Sequence, residues 1–157
     1  MNNEKNDTFS LACEVVKILK EHGWHITFAE SCTGGLACAE LVGVPDASWV
    51  LDASFVTYAN EAKINYLGVP ESLIRDHGVV SEQVAGEMAR GAALANSAEV
   101  GVGISGIAGP SGGSAEKPVG CAETVIFLSP LSILPALPKA RRGSPLADRS
   151  ASICQSP

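Results

Sequence analysis

Apolar side chains along the chain switch repeatedly between helical and strand-like spacing. Near the N-terminus they recur at helical spacing, which predicts a helix that begins after a cap at Asp7 or Thr8 and ends at Gly23. A later helix is predicted after Ser81, a polar cap that precedes many small residues suited to close packing on a sheet. The apolar positions of the first helix are Leu11, Val15, Ile18 and Leu19.

The other segments read as short strands and short helices in alternation. A glycine-rich loop is predicted at 106–117. The alternation predicts an α/β fold, a single-domain layered sandwich with helices packed on a mixed, largely parallel sheet. Strands are predicted at 24–29, within 50–59, at 100–105 and at 119–128, and the predicted short helices are about 34–41, 60–67 with Asn60 as its cap, and 71–77 after Pro70.

This alternation stops after Leu128. Residues 129–157 hold five of the nine prolines and six serines, and their four basic residues and one acidic residue give a net charge of +3. The first 128 residues carry 7 basic and 16 acidic residues, a net charge of −9. We therefore predict a folded domain at 1–128 and a Pro/Ser-rich basic tail at 129–157 that does not pack well.

The composition narrows the classes of function. Hydrophobic residues make up 46% and charged residues 18% of the 157 residues, enough for one hydrophobic core. No apolar run approaches the roughly 18 residues of a membrane span, and the N-terminus is polar, which predicts a cytoplasmic protein without membrane contact. The net charge of −6 argues against nucleic acid as a partner, because phosphate neutralisation needs a basic surface. The five scattered cysteines favour free thiols over disulfides or a metal site.

Ser31 lies where a predicted strand turns into a predicted helix. A serine at such a turn can act as a nucleophile, because backbone N–H groups at the helix start can stabilise an oxyanion. Gly34 and Gly35 would allow a substrate to approach the backbone. The alternative is that Ser31 or Thr33 only caps the helix, and these few residues by themselves favour that reading. Glu30 could orient a substrate group or simply solvate the turn.

Lys63 is the candidate base for this serine. It falls in the first turn of the helix predicted from Asn60, where the helix dipole disfavours positive charge and lowers a lysine pKa. Burial would lower that pKa further and make the amine a base near neutral pH. The alternative is a solvated surface lysine, which is the commoner state of lysine.

The glycine-dense stretch 103–113, which includes Ser105 to Gly109, is the third candidate. Its glycines follow a predicted strand, and clustered backbone N–H groups there could cradle a phosphate or a carboxylate. A simple flexible loop is the alternative, and composition alone does not separate the two.

Taken together, these stretches resemble the CinA C-terminal domain family. The resemblance runs from residue 8 to residue 120. The matching motifs, in order, are Ala29–Gly35 (AESCTGG), Val56–Lys63 (VTYANEAK), Leu67–Pro70 (LGVP), His77–Ser81 (HGVVS), Ser105–Pro110 (SGIAGP) and Glu116–Gly120 (EKPVG).

The resemblance implies an α/β enzyme that hydrolyses the carboxamide of nicotinamide mononucleotide, in pyridine-nucleotide salvage, without a metal or cofactor. It implies Ser31 as nucleophile, Lys63 as base and the Tyr58 hydroxyl as an aid to proton transfer or positioning, with oxyanion donors at residues 33–35. The implied partner is a small-molecule nucleotide, and a homo-oligomer is expected. The expected substrate-binding residues are Glu30, Thr33, Gly34, Gly35, Asn60, Ser105, Gly106, Ile107, Ala108 and Gly109.

The C-terminal stretch departs from the family pattern. Members continue through two strands, a Gly-Asp-Arg segment, a further arginine and a terminal helix, whereas the sequence from Cys121 onward is predicted not to follow this order. A frameshifted or otherwise altered C-terminus would explain the difference. It would remove phosphate-binding arginines and expose apolar surface, so the alternative function is an impaired relative that only binds a nucleotide or a protein.

Overall fold

The computed structural model describes residues 3–130, with side chains from residue 7 onward. Five helices and four strands make up this part of the chain, and a 3-10 turn at Ala47–Trp49 lies between α2 and β2. The helices are α1 (Asn3–His22), α2 (Leu36–Val42), α3 (Asn60–Leu67), α4 (Glu71–His77) and α5 (Glu82–Asn96). The strands are β1 (Ile26–Glu30), β2 (Phe55–Val56), β3 (Val100–Gly106) and β4 (Ala122–Leu128).

The four strands form one mixed sheet in the order β2-β1-β3-β4. Strand β1 is parallel to β2 and β3, and β4 is antiparallel to β3. Glu30 pairs with Val56 on one side and with Ile104 on the other. The carboxyl ends of the parallel strands therefore meet at one edge of the sheet, where α/β proteins bind ligands. The predicted α/β sandwich is confirmed.

Helix α5 lies very close to one face of the sheet because β3 carries glycines opposite it. A Cβ atom built on Gly101 would lie 2.1 Å from the Ala89 carbonyl oxygen, and one on Gly103 would lie 1.9 Å from that of Ala85. Only glycine fits at these two positions. The close packing predicted from the small residues of this helix is confirmed, and β3 supplies the complementary gap.

Two hydrophobic clusters cover opposite faces of the sheet. Alternate residues of β1 point to opposite sides, so Phe28 joins one cluster and Ala29 the other. The Phe28 cluster includes Val16, Leu19 and Leu41 from α1 and α2. The Ala29 cluster includes Leu67, Val84, Met88 and Ala92 from α3 and α5.

The first three helices do not begin where predicted, and β1 and β4 differ from the predicted 24–29 and 119–128. Helix α1 already begins at Asn3, and α2 begins only at Leu36, because Gly35 adopts a left-handed φ of 103°. Strand β2 is two residues long and lies within the predicted 50–59. Val50 and Leu51 precede it in a turn, where both of their N–H groups bond to the Ala47 carbonyl. Asn60 is the first residue of α3, and the extended residue before it, Ala59, is the N-cap.

No helix within residues 3–130 is both long and apolar enough to cross a membrane. The predicted tail at 129–157 lies outside the described residues except for Ser129 and Pro130.

Candidate active site

Ser31 and Lys63 meet at the carboxyl edge of the sheet. Ser31 follows the last residue of β1, and Lys63 lies in the first turn of α3. The Lys63 Nζ atom lies 3.0 Å from Ser31 Oγ. Lys63 is fully buried, and Ser31 is 7% exposed. The structure thus brings the predicted nucleophile and base into direct hydrogen-bond contact, and Lys63 is not the solvated surface lysine of the alternative.

The surroundings of Lys63 lower its pKa. Burial lowers the pKa of Lys63, and the nearby Cys32 sulfur raises it by a smaller amount. Among the residues that the structure describes, no carboxylate lies within 4.0 Å of Nζ. The amine is held instead by two main-chain carbonyls, those of Thr57 at 2.8 Å and Tyr58 at 3.1 Å.

These carbonyls decide how a neutral Lys63 must be arranged. A neutral amine has two N–H groups and one lone pair, and a carbonyl oxygen can only accept. The two N–H groups therefore point to Thr57 and Tyr58, and the lone pair is left facing Ser31 Oγ. The arrangement can take the hydroxyl proton of Ser31, which is the geometry of a nucleophile with its base.

The backbone N–H groups after β1 are mostly used within the protein. The Ser31 N–H donates to Ile104 at 3.0 Å, and the Gly34 N–H donates to the Ser31 carbonyl at 3.2 Å. The N–H groups of Cys32 and Thr33 make no hydrogen bond within residues 3–130. Two unpaired N–H groups next to a nucleophile can hold an oxyanion. Among the oxyanion donors expected at residues 33–35, only the Thr33 N–H is unpaired within residues 3–130, and the Cys32 N–H is a second unpaired donor beside it.

Glu30 has a different role from the predicted substrate contact. Its side chain is 1% exposed, and its Oε2 atom accepts from the N–H groups of Gly35 at 3.0 Å and Ala37 at 3.2 Å. Its Oε1 atom accepts from Cys38 N–H at 2.8 Å. These bonds satisfy the free N–H groups at the start of α2. The carboxylate is therefore a helix cap, and it also occupies the Gly35 N–H.

The predicted residues around α3 lie at the site with their side chains turned outward. The Tyr58 side chain is 71% exposed, and only its carbonyl contacts Lys63. Asn60 is exposed at the start of α3. The structure therefore does not bring the Tyr58 hydroxyl to Ser31. Sequence reasoning missed Thr57, whose role is carried by a carbonyl and has no side-chain signature.

The predicted loop at Ser105–Gly109 starts directly beside the nucleophile turn. A Cβ atom on Gly106 would lie 2.8 Å from Cys32 Sγ, so glycine allows the two segments to touch. Ser105 is buried, and its hydroxyl donates to the Val79 carbonyl at 2.7 Å, which leaves the backbone rather than this side chain to face a ligand. Ile107 is tied to Cys121 and Gly120 by backbone bonds. Ala108 is exposed and Gly109 is partly buried.

Two buried hydroxyls near the dyad have no partner. Thr33 Oγ1 and Thr57 Oγ1 make no hydrogen bond in the described part of the chain. The same part contains no group of three or more His, Cys, Asp and Glu side chains that could hold a metal ion.

Comparisons with known proteins identify the family and the fold of the chain. The sequence model of the CinA C-terminal domain matches residues 8–128, so the family resemblance extends through β4, and the predicted departure at Cys121 is wrong for residues 121–128. A CinA-like protein of Syntrophobacter fumaroxidans is 54% identical over 102 residues, which are 65% of this chain and 24% of that protein. The chain thus spans about a quarter of that relative.

Two further relatives are matched over most of their length. The nicotinamide-nucleotide amidohydrolase PncC of Enterobacter agglomerans is 53% identical over 110 residues, which are 70% of this chain and 67% of that protein. The crystal structure of the competence/damage inducible protein CihA from Agrobacterium tumefaciens superposes with a TM-score of 0.72 at 39% identity, covering 78% of this chain and 79% of that one. The chain therefore belongs to the CinA C-terminal domain family.

Proposed function

We propose that this protein hydrolyses the carboxamide of nicotinamide mononucleotide to nicotinic acid mononucleotide and ammonia. The observation that carries the proposal is the 3.0 Å contact between Ser31 Oγ and the buried Lys63 Nζ. The substrate is suggested by the PncC relative of Enterobacter agglomerans, whose name states that it is a nicotinamide-nucleotide amidohydrolase. The proposed setting is pyridine-nucleotide salvage in the cytoplasm.

The first half of the reaction forms an acyl-enzyme. Ser31 Oγ attacks the carboxamide carbon while its proton moves to Lys63 Nζ. The oxygen of the tetrahedral intermediate accepts from the N–H groups of Cys32 and Thr33. When the intermediate collapses, the C–N bond breaks and Lys63 returns the proton to the leaving nitrogen, which departs as ammonia.

The second half regenerates Ser31. A water molecule attacks the ester carbon and gives one proton to Lys63, and the C–O bond to Ser31 breaks as Lys63 returns that proton to Oγ. The product is the carboxylic acid of the nucleotide. The mechanism uses one nucleophile, one base and two backbone N–H groups, and needs neither a metal ion nor a cofactor.

We assign substrate binding to the turn after β1 and to the loop that starts at Gly106. The two segments touch at Cys32, so a carboxamide at Ser31 would leave the rest of the nucleotide over the backbone of Ile107, Ala108 and Gly109. Tyr58 and Asn60 are proposed to line the opposite rim from their exposed positions. Assembly into a homo-oligomer and the lack of a nucleic-acid partner remain predictions.

The proposal is tested by the ammonia that the purified protein releases from nicotinamide mononucleotide. We expect Ser31→Ala and Lys63→Met to lower kcat about 10³-fold or more, because the first removes the nucleophile and the second removes its base. Ser48→Ala and Lys17→Met, at exposed positions, are the matched controls and should behave like the parent.

Absence of ammonia release above the Ser31→Ala background would refute the proposed activity. Calorimetric binding of mononucleotides by such an inactive protein would then favour the alternative, a module that binds nucleotide without catalysis. A protein that neither releases ammonia nor binds mononucleotides would have neither of these two functions.

A further inference from the structure

The residue before the nucleophile is a buried acid that the proposed reaction does not use. Glu30 is 1% exposed, and both of its carboxylate oxygens accept hydrogen bonds from the start of α2, at 2.8, 3.0 and 3.2 Å. A buried carboxylate is costly unless it is fully hydrogen-bonded. A helix start is ordinarily capped by the side chain at its own N-cap position, whereas here Gly35 holds that position and the cap comes from Glu30 at the end of β1, which calls for an explanation.

The main chain of Glu30 is joined to the other half of the dyad. Its carbonyl accepts the Thr57 N–H at 2.8 Å, and the carbonyl of the same Thr57 accepts from Lys63 Nζ at 2.8 Å. The Glu30 side chain holds the start of α2, where the turn after Ser31 ends. The Glu30 main chain holds Thr57, whose carbonyl binds the base. One residue thus connects β1, α2 and the support of Lys63.

The carboxylate also decides which N–H groups remain available. It takes those of Gly35, Ala37 and Cys38, and only the unpaired N–H groups of Cys32 and Thr33 are left beside Ser31. Without the anion, the N–H groups of Gly35, Ala37 and Cys38 would be unpaired donors in the segment that follows the nucleophile turn. A developing oxyanion would then have competing positions.

We propose that Glu30 is a positioning residue that holds the Ser31 turn, so that Ser31 Oγ stays in contact with Lys63 and the oxyanion is directed to Cys32 and Thr33. The inference rests on the proposed use of Ser31 as nucleophile, but not on the identity of the substrate. It can therefore be tested with a serine-directed reagent as well as with the nucleotide.

The experiment compares Glu30→Gln with the parent by the rate at which a fluorophosphonate labels Ser31, followed by intact mass. Glutamine has the same length but only one acceptor oxygen, so at least one N–H of α2 would face an NH₂ group. We expect the labelling rate constant to fall about 10- to 100-fold while every chain is still labelled, because small misplacements of a nucleophile are costly. Glu40→Gln, an exposed acid on α2, is the matched control.

The fraction of chains labelled at Ser31 distinguishes a positioning role of Glu30 from a folding defect. A merely structural cap would lower the fraction of chains that label and leave the rate constant of the folded fraction unchanged, and that result would overturn the inference. With nicotinamide mononucleotide as the substrate, Glu30→Gln should lower kcat and leave KM within about threefold, since no substrate contact is removed.

A second variant tests the same bonds from the donor side. Ala37→Pro removes one of the three N–H donors at the first turn of α2, where proline is tolerated, and leaves the carboxylate in place. We expect a smaller fall in the labelling rate, about fivefold, because one hydrogen bond of three is lost. Labelling of both variants at the parental rate would contradict the inference.

The two proposals fail separately. A parent that labels at Ser31 but releases no ammonia refutes the substrate and leaves the role of Glu30 standing. A parent that does not label at Ser31 refutes the nucleophile and the inference together.

Discussion

Lys63 is held by uncharged groups, and this determines how the reaction should depend on pH. Its pKa is lowered by burial, so the neutral amine is populated at a lower pH than in an exposed lysine. The protonated amine has no lone pair for the Ser31 proton. The rate should therefore rise with pH through the lowered pKa and level off above it.

Arginine is the variant that tests this dependence on pH. Because a guanidinium stays protonated in proteins, Lys63→Arg should be inactive across the whole pH range, with a loss of about 10³-fold or more. Lys17→Arg, at an exposed position on α1, should retain the parental pH profile of ammonia release. A parental rate that does not change with pH would contradict the role of Lys63 as the base.

Thr57 offers a separate test, because its carbonyl and its hydroxyl have different surroundings. The carbonyl binds Lys63, whereas the buried hydroxyl has no partner in the described residues. Thr57→Val keeps the carbonyl and removes an unsatisfied polar group. We expect the free energy of unfolding to stay level or rise by about 1 kcal/mol, with activity within about threefold of the parent.

The matched comparison for Thr57→Val is a buried hydroxyl that does have a partner. Ser105 donates to the Val79 carbonyl at 2.7 Å, so Ser105→Ala should cost about 1–3 kcal/mol in chemical denaturation. If Thr57→Val were the more destabilising of the two, the Thr57 hydroxyl would have to hold a water molecule or a ligand.

At the scale of elements, the packing of α5 on β3 fixes the strand to which the nucleophile turn is hydrogen-bonded. Ile104 of β3 accepts the Ser31 N–H, so a shift of β3 would move the nucleophile turn. A Cβ atom on Gly103 would lie 1.9 Å from Ala85 O, in main chain that cannot rotate away. Gly103→Ala should therefore lower the free energy of unfolding by about 3 kcal/mol or more, and reduce activity in the chains that still fold.

Gly86 is the control on the same helix. A Cβ atom there would meet only Val125 Cγ1 at 3.8 Å, an ordinary contact. Gly86→Ala should stabilise the protein by up to about 1 kcal/mol, because alanine favours a helix over glycine. Thermal unfolding of the pair measures the packing requirement directly. Equal stability of the two variants would contradict it.

The elements that sequence predicted well are those with local signals. Ser81 caps α5 by accepting from Val84 N–H, and Pro70 precedes α4 at Glu71–His77 as expected. The strand predicted within 50–59 is only Phe55–Val56, because the buried Val50 closes a 3-10 turn, which an apolar run cannot reveal. The local bonds of this turn, from Val50 and Leu51 to Ala47, leave only an isolated bridge between Leu51 and Ile26 of β1.

The site was predictable to the extent that it is built from side chains. Ser31 and Lys63 were candidates from their positions after a strand and at a helix start, the family resemblance favoured them as nucleophile and base, and the structure brings them together. The capping role of Glu30 depends on a turn that folds back onto β1, and the role of Thr57 depends on a carbonyl. Neither leaves a mark in residue type, so spacing alone could not have supplied them.

At the scale of the whole molecule, an apolar groove of about 490 Å³ lies between α1, α2 and the sheet. Its lining includes the exposed side chains of Leu11, Ile18 and Ile126. Grooves of this composition bind apolar dyes. We expect anilinonaphthalene sulfonate to fluoresce with the native protein, and Ile126→Thr to weaken that signal.

Val119→Thr is the control for the dye experiment, because Val119 is also exposed and does not line the groove. The activity of Ile126→Thr should match that of the parent. The groove lies between the sheet and helices α1 and α2, and neither Ser31 nor Lys63 lines it. A fluorescence signal that both variants reduce equally would place the dye elsewhere.

The carboxylate that fills the start of α2 also bears on the design of inhibitors. A compound that directs a second anionic group toward that helix would meet Glu30, where an uncapped terminus would attract it. The turn instead offers two N–H groups for a single oxygen. Electrophiles that acylate Ser31 and present one compact oxygen to the N–H groups of Cys32 and Thr33 should therefore inhibit better than tetrahedral polyanions.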